Sequence, residues 1–201
     1  MTRNWPKERE RDYYYRLAKE EGYRSRAAFK LLQVSKKYGL IDEGDTVVDL
    51  GAAPGGWLQA ARTIVGEDGF VLGIDLKPIE ALPWPNVDFS VGDIRELKNL
   101  KLSERLPKGK ADVVVSDVSP NISGAWEVDH ARQIELAETS LKIASAILRP
   151  GGNFLVKAFQ GDLMNSFVKD VKQLFAVVKI AKPKASRAES SELYILGLRK
   201  L

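Results

Sequence analysis

Two ionisable residues stand where apolar runs end. Ala111 to Val115 is a β-branched stretch closed by Ser116-Asp117, and Phe154-Leu155-Val156-Lys157-Ala158-Phe159 carries a lysine inside an otherwise apolar pattern. Burial disfavours a lysine's charge, so an amine in that setting either has a function or reaches solvent at a strand edge. If both runs are parallel strands of an open α/β sheet, their carboxyl ends lie side by side, where such sheets gather ligands. Asp117 and Lys157 are then neighbours. A lysine amine acts as a base when desolvation or a second cation lowers its pKa, and a carboxylate beside it would orient it.

A ligand for that cleft is suggested by Val47-Val48-Asp49-Leu50-Gly51-Ala52-Ala53-Pro54-Gly55-Gly56-Trp57. A β-branched run ends in an acid, passes through small residues and opens into a helical pattern. Bare backbone lets a ligand lie close, and the helix start offers N–H groups and a positive dipole end. An ordinary tight strand-to-helix turn is the plainer alternative. Gly51, Ala53 and Gly56 occupy the positions of a dinucleotide fingerprint, with Asp75 near the distance of its ribose-binding acid. Pro54 deletes an N–H from a loop that would have to cradle a pyrophosphate, which disfavours a nicotinamide cofactor. S-adenosylmethionine has no phosphate and tolerates that loss. Asp75 can hold its ribose, Asp93 can accept from its adenine amino group, and Asp49 can fix the loop or meet its ammonium. Turn capping is the competing role for Asp75 and Asp93.

These residues need a scaffold, and the chain alternates strand and helix patterns. Helices are predicted over 13–19 and from a Ser25 cap through Lys37, with Ala28, Leu31, Leu32 and Ser35 inward and Gly39 as the stop. Strands follow at 46–49, 70–75, 88–91, 111–115, 153–159, 176–181 and 192–198, with helices at 57–65, 127–148 and 163–174. Residues 97–110 are polar and unassigned. The last two strands are too close for a helical crossover, so they pair antiparallel. The fold class is α/β: a Rossmann-like, mainly parallel seven-stranded sheet. One domain spans 1–201, with a basic helical segment over about 1–40 as an appendage to the sheet.

The 201 residues contain no cysteine and a single histidine, His130, which removes thiol chemistry, disulfides and His-rich metal centres. No membrane-length apolar run and no signal core is present, so a cytoplasmic location is the expectation. No metal is expected although an all-carboxylate site stays open, and a monomer is expected with the oligomeric state left open. Residues 1–37 hold eleven Lys/Arg against five acids, while the remainder is slightly acidic within a net charge of +4. With Tyr13, Tyr14, Tyr15 and Tyr23 among them, these charges suit a phosphate backbone and unstacked bases. A solvated helix face is the bland alternative.

Five ordered blocks resemble the FtsJ/RrmJ (RlmE) family of ribosomal RNA 2′-O-ribose methyltransferases. They are Tyr23-Arg24-Ser25-Arg26-Ala27-Ala28-Phe29-Lys30-Leu31, Asp49 to Trp57, Ser116 to Gly124, Val156 to Gly161, and Ser186 to Tyr194. The resemblance implies a catalytic tetrad of Lys30, Asp117, Lys157 and Glu192. It also implies S-adenosylmethionine contacts at Gly55, Trp57, Asp75, Asp93 and Asp117, beside the turn glycines Gly51 and Gly56. Large-subunit ribosomal RNA, or the subunit itself, is the implied partner. The stretch Glu189-Ser190-Ser191 is less basic than the family pattern.

A ribose 2′-hydroxyl must be aligned with a sulfonium methyl and lose its proton. Lys157 is the expected base, Lys30 the cation beside it, and Asp117 and Glu192 the orienting acids; Lys157 steering the hydroxyl without taking its proton is the alternative. Within the enzyme class a transfer-RNA or messenger-cap 2′-O-methylase competes, whereas Asp117-Val118-Ser119-Pro120-Asn121 lacks the Pro-Pro-aromatic signature of exocyclic amine methylases. From another class, a non-catalytic RNA-binding assembly factor on the same scaffold would need neither lysine.

Overall fold

The computed structural model describes residues 12–96 and 101–201. In chain order the elements are α1 (Tyr13–Glu20), α2 (Ala28–Tyr38), β1 (Thr46–Leu50), α3 (Gly56–Val65), β2 (Phe70–Asp75), β3 (Val87–Val91), α4 (Leu102–Arg105), β4 (Ala111–Ser116), α5 (Trp126–Ile147), β5 (Leu148–Phe159), α6 (Met164–Leu174), β6 (Phe175–Ala181) and β7 (Glu192–Lys200). All seven strands form one sheet in the order β3-β2-β1-β4-β5-β7-β6. β1 to β5 pair in parallel, and β7 runs antiparallel to both β5 and β6. The order reverses between β1 and β4, and a sheet's crevice opens at such a switch point.

Strand alternation sorts the apolar residues onto two faces. Val48, Leu50, Leu72, Val114, Phe154 and Val156 face the helices α5 and α6. Val47, Val71, Val113, Val115 and Leu155 face α2 and α3. On α5 the buried positions Ile134, Ala137, Leu141 and Ala144 recur every three or four residues, the spacing of one helix face. Each large aliphatic side chain removed from water contributes roughly 1.5–3 kcal/mol, so both layers are needed to hold the central strands.

The N-terminal helices are no appendage. Leu31 and Val34 of α2 are buried in the same cluster as Trp57, Leu58 and Leu155, and Leu31→Ala would cost roughly 2–5 kcal/mol. Ser25 does not cap α2: the helix begins at Ala28 behind Ala27 with no side-chain cap. Its hydroxyl instead lies against Gly56, where a Cβ would collide with Ser25 Oγ. Gly39 ends the helix in the left-handed region, as expected. β5 starts five residues before the predicted Asn153, because Leu148 pairs with Ala111 ahead of a register shift. Arg3, Lys7, Arg9 and Arg11 of the basic segment lie outside the described residues. Among the described residues no helix is long and apolar enough to cross a membrane.

Candidate active site

The ends of β4 and β5, the start of β7 and the inner face of α2 converge on one phenol. Odd-numbered positions of β5 face α2, which turns Lys157 toward that helix, and register pairs Lys157 with Tyr194 and Phe159 with Glu192. Lys157 is only 5% exposed, so it is no solvated edge lysine. Its Nζ donates to the Asp117 carbonyl at 2.7 Å and lies 3.1 Å from Asp117 Oδ1. Across the cleft Lys30 Nζ pairs with Glu192 Oε1 and lies 3.2 Å from the Tyr194 hydroxyl. That hydroxyl stands 2.7 Å from Asp117 Oδ1 and 3.0 Å from Glu192 Oε1. Its one proton serves one carboxylate at a time, and the shorter contact favours Asp117. Lys30, Asp117, Lys157 and Glu192, which the family resemblance implies as a set, thus form one array around Tyr194.

Electrostatics follow the geometry. Burial alone would raise the Asp117 carboxyl, but Lys157 and then Lys30 outweigh it and hold it below the ordinary carboxylate range. Burial, reinforced by the charges of Asp117 and Glu192, pushes the Tyr194 phenol well above its usual value. The ring is fully buried and packs against Trp57, centroids 5.9 Å apart.

The glycine turn lies beside this array. Gly51 and Gly55 have φ of +83° and +107°, open to glycine and strained for other residues. A Cβ at Gly51 would also meet Val118 Cγ2 at 2.8 Å, so the turn sits tightly under the loop after Asp117. Asp75 Oδ2 accepts from the Ala53 N–H and Oδ1 from the Lys77 N–H, both at 2.9 Å, while Gly51 and Ala52 donate to the Ile74 carbonyl. Arg24 clamps the other side, donating to the carbonyls of Pro54, Glu80 and Ala81. Gly55 precedes α3, which no side chain caps. Trp57 is buried, its indole N–H donating to the Ala27 carbonyl at 2.7 Å, so the ring is a wall between turn and tetrad. Asp93, past β3, is held by the Arg95 side chain and backbone N–H, which keep its carboxyl below the usual range.

Asp49 is the test of whether this turn fits a charged ligand. It is fully buried at the end of β1, neither carboxylate oxygen has a hydrogen-bond partner among the described residues, and burial pushes its carboxyl well above the usual range, with Asp117 and Asp75 adding repulsion. Unpaired buried carboxylates are rare because they are costly. One placed under a glycine turn, with acids at the next two strand ends, fits the ammonium and hydroxyl groups of an aminoacyl nucleoside. Among the described residues no group of three His, Cys, Asp or Glu could hold a metal ion.

Sequence reasoning missed Tyr194 and Gln133. The i, i+2 spacing of Glu192 and Tyr194 on β7 was a legible signal that both share a face. Buried Gln133 of α5 donates to the Val118 and Lys157 carbonyls at 3.1 and 3.0 Å, tying the two strand ends together, and nothing in its sequence context marks it.

A mainly parallel seven-stranded sheet with an antiparallel β7, a glycine turn at the switch point and strand-end acids define a Rossmann-like methyltransferase fold. Solved structures agree: a protein described as a ribosomal RNA methyltransferase from Plasmodium falciparum superposes with a TM-score of 0.78 at 29% identity, covering 89% of this chain and 99% of that one. Aeropyrum pernix fibrillarin, solved with natively bound S-adenosyl-L-methionine, gives 0.61 at 20% identity over 88% of this chain and 75% of its own. The family model for FtsJ-like methyltransferases matches residues 23–200, and the chain belongs to that family. Proteins called Ribosomal RNA large subunit methyltransferase E are similar throughout. The one from Methanococcus maripaludis strain C7 is 51% identical over 197 residues, 98% of this chain and 76% of the relative. That of Methanocaldococcus jannaschii is 50% identical over 200 residues, 98% of this chain and 82% of the relative.

Proposed function

We propose that the protein uses S-adenosylmethionine to methylate a ribose 2′-hydroxyl, on a uridine of large-subunit ribosomal RNA. The observation that carries this reading is the convergence of two lysines and two carboxylates on the Tyr194 phenol beside the glycine turn. Its relatives are named for large-subunit ribosomal RNA. The reading locates the protein with its ribosomal substrate, in the cytoplasm.

When bound, the sulfonium supplies an electrophilic methyl group, and transfer forms an O–CH3 bond while the C–S bond breaks to leave a thioether. The protein's part is alignment and proton removal. Asp117 occupies two of the three positions around Lys157 Nζ through its carbonyl and carboxylate. In an unprotonated amine the third position is a lone pair that can take the hydroxyl proton. Lys30, fixed by Glu192 and Tyr194, places a second cation across the cleft, which favours the alkoxide. Asp49 and Asp75 hold the donor's ammonium and ribose hydroxyls, Asp93 receives its adenine once Arg95 shares the carboxylate, and Trp57 walls the turn.

RNA is also suggested by a groove of about 430 Å³ lined by Lys36, Lys37 and Tyr38 of α2 and by Lys182 and Lys184 after β6. It runs between the C-terminal half of α2 and the turn after β6, with Val34, Ala181 and Pro183 as its apolar lining, and none of the tetrad lines it. The test is incubation with methyl-labelled S-adenosylmethionine and ribosomal RNA or 50S-type subunits lacking the modification. Label on a ribose that Lys157→Ala fails to transfer is expected; label on a base, or undiminished transfer by that variant, overturns the reading.

A further inference from the structure

Three aromatic rings gathered at the end of β5 have no part in the scheme above. Trp126, the first residue of α5, stacks on His130 with centroids 5.8 Å apart and planes at 15°, and on Phe159 at 6.0 Å and 22°. These are offset contacts, and the indole remains 49% exposed. Its supports are fixed. His130 is buried, its Nε2 accepting from the Leu163 N–H at 3.2 Å, and its ring lies over Gly161, where a Cβ would come within 2.6 Å. Phe159 ends β5 two residues after Lys157 and pairs with Glu192. The loop joining Asp117 to Trp126 is held by Asp129, which accepts from the Ser123 N–H and hydroxyl at 2.8 Å and from the Gly124 N–H at 3.0 Å.

We propose that Trp126, backed by His130 and Phe159, is a stacking platform for the base of the nucleotide whose ribose is methylated. The proposal rests on the RNA reading above and deepens it. Phe159, on which Trp126 stacks, follows Lys157 by two strand residues, a backbone rise of about 7 Å, so the platform borders the strand end that carries the amine. The exposed charge next to Trp126 is the Glu127 carboxylate, which repels a phosphate but leaves an aromatic face indifferent. A base drawn from its helix so that its 2′-hydroxyl can meet Lys157 loses its stacking neighbours, and this shelf replaces them. Stacking accepts every base, so the platform fixes position and leaves base identity to other contacts.

The test uses the wild type, Trp126→Ala, Trp126→Leu and Trp126→Phe on a large-subunit ribosomal RNA fragment, intact or abasic at the nucleotide the wild type labels. On intact RNA, Trp126→Ala and Trp126→Leu should lower kcat/KM about 10- to 100-fold, and Trp126→Phe less than about threefold. On abasic RNA all four enzymes should coincide. S-adenosylmethionine affinity by calorimetry should be the same in all four, which also verifies folding. Full activity of Trp126→Ala on intact RNA, or an equal loss on both RNAs, overturns the platform and leaves the methyl-transfer reading standing. A wild type that labels no ribosomal RNA overturns both.

Discussion

Lys157 Nζ meets Asp117 twice, at its carbonyl oxygen 2.7 Å away and its Oδ1 3.1 Å away, so one residue both neutralises and aims the buried amine. Removing the lysine alone strands a carboxylate in the cleft. Lys157→Met should abolish methyl transfer and destabilise the fold by about 3 kcal/mol in urea titrations. Adding Asp117→Asn should recover most of that stability and none of the activity. Since Lys157 and Lys30 depress Asp117 despite its burial, its stabilising share is complete above the ordinary carboxylate value and is lost as pH falls through the depressed one. Acid unfolding below about pH 4 should accordingly be shallower in Asp117→Asn than in the wild type.

Tyr194 organises the array without ionising. Burial first, then two adjacent carboxylates, push its phenol well above the usual range. An absorbance titration at 295 nm should show one tyrosine that ionises only on alkaline unfolding, and Tyr194→Phe should delete that step. The same substitution keeps the ring against Trp57 and removes the hydroxyl shared by Lys30, Asp117 and Glu192. Turnover should fall roughly tenfold, the value of one hydrogen bond to a charged group, with little change in Tm.

Asp49 gives the opposite pH signature. Its folded pKa is raised, mainly by burial, so the native state retains a proton that the unfolded chain has lost, and stability declines as pH rises from the ordinary value toward the raised one. Asp49→Asn should raise Tm at pH 8 by roughly 3 °C or more, with the gain shrinking toward pH 4. If the carboxylate meets the donor's ammonium, the same variant should weaken S-adenosylmethionine binding in calorimetry.

The groove beside α2 predicts a salt effect. Reversing Lys36 and Lys184 to Glu should weaken RNA binding across sequences and reduce the slope of log K against log salt by roughly one for each phosphate no longer neutralised. Donor affinity should not change, because the groove lies away from the glycine turn.

Much of this was legible because the signals are local. Val47 to Trp57 reads as strand, turn and helix by residue type alone, and Gly39 announces a helix end. The closeness of β6 and β7 in sequence already forces antiparallel pairing. The tetrad came from motif resemblance, and what that left out is tertiary. Tyr194 is an ordinary strand aromatic until β7 is set beside β5, and Gln133 and Asp129 acquire roles only when α5 crosses the loop after β4. Ser25 has the chemistry of a cap, yet the close approach of Gly56 claims its hydroxyl. The separateness expected of the N-terminal helices failed because Leu31 and Val34, two members of a modest amphipathic pattern, complete the core over β1 and β5.

β7 enters the sheet between β5 and β6, and it brings Glu192 to a lysine 162 positions earlier in the chain, with Tyr194 beside it. During synthesis the donor turn, Asp117 and Lys157 therefore emerge before the strand that gives Lys30 its partner. A chain cut ahead of residue 192 would keep the residues of the glycine turn, Asp117 and Lys157 but lack both Glu192 and Tyr194, so the array around Lys30 is completed only by the last strand.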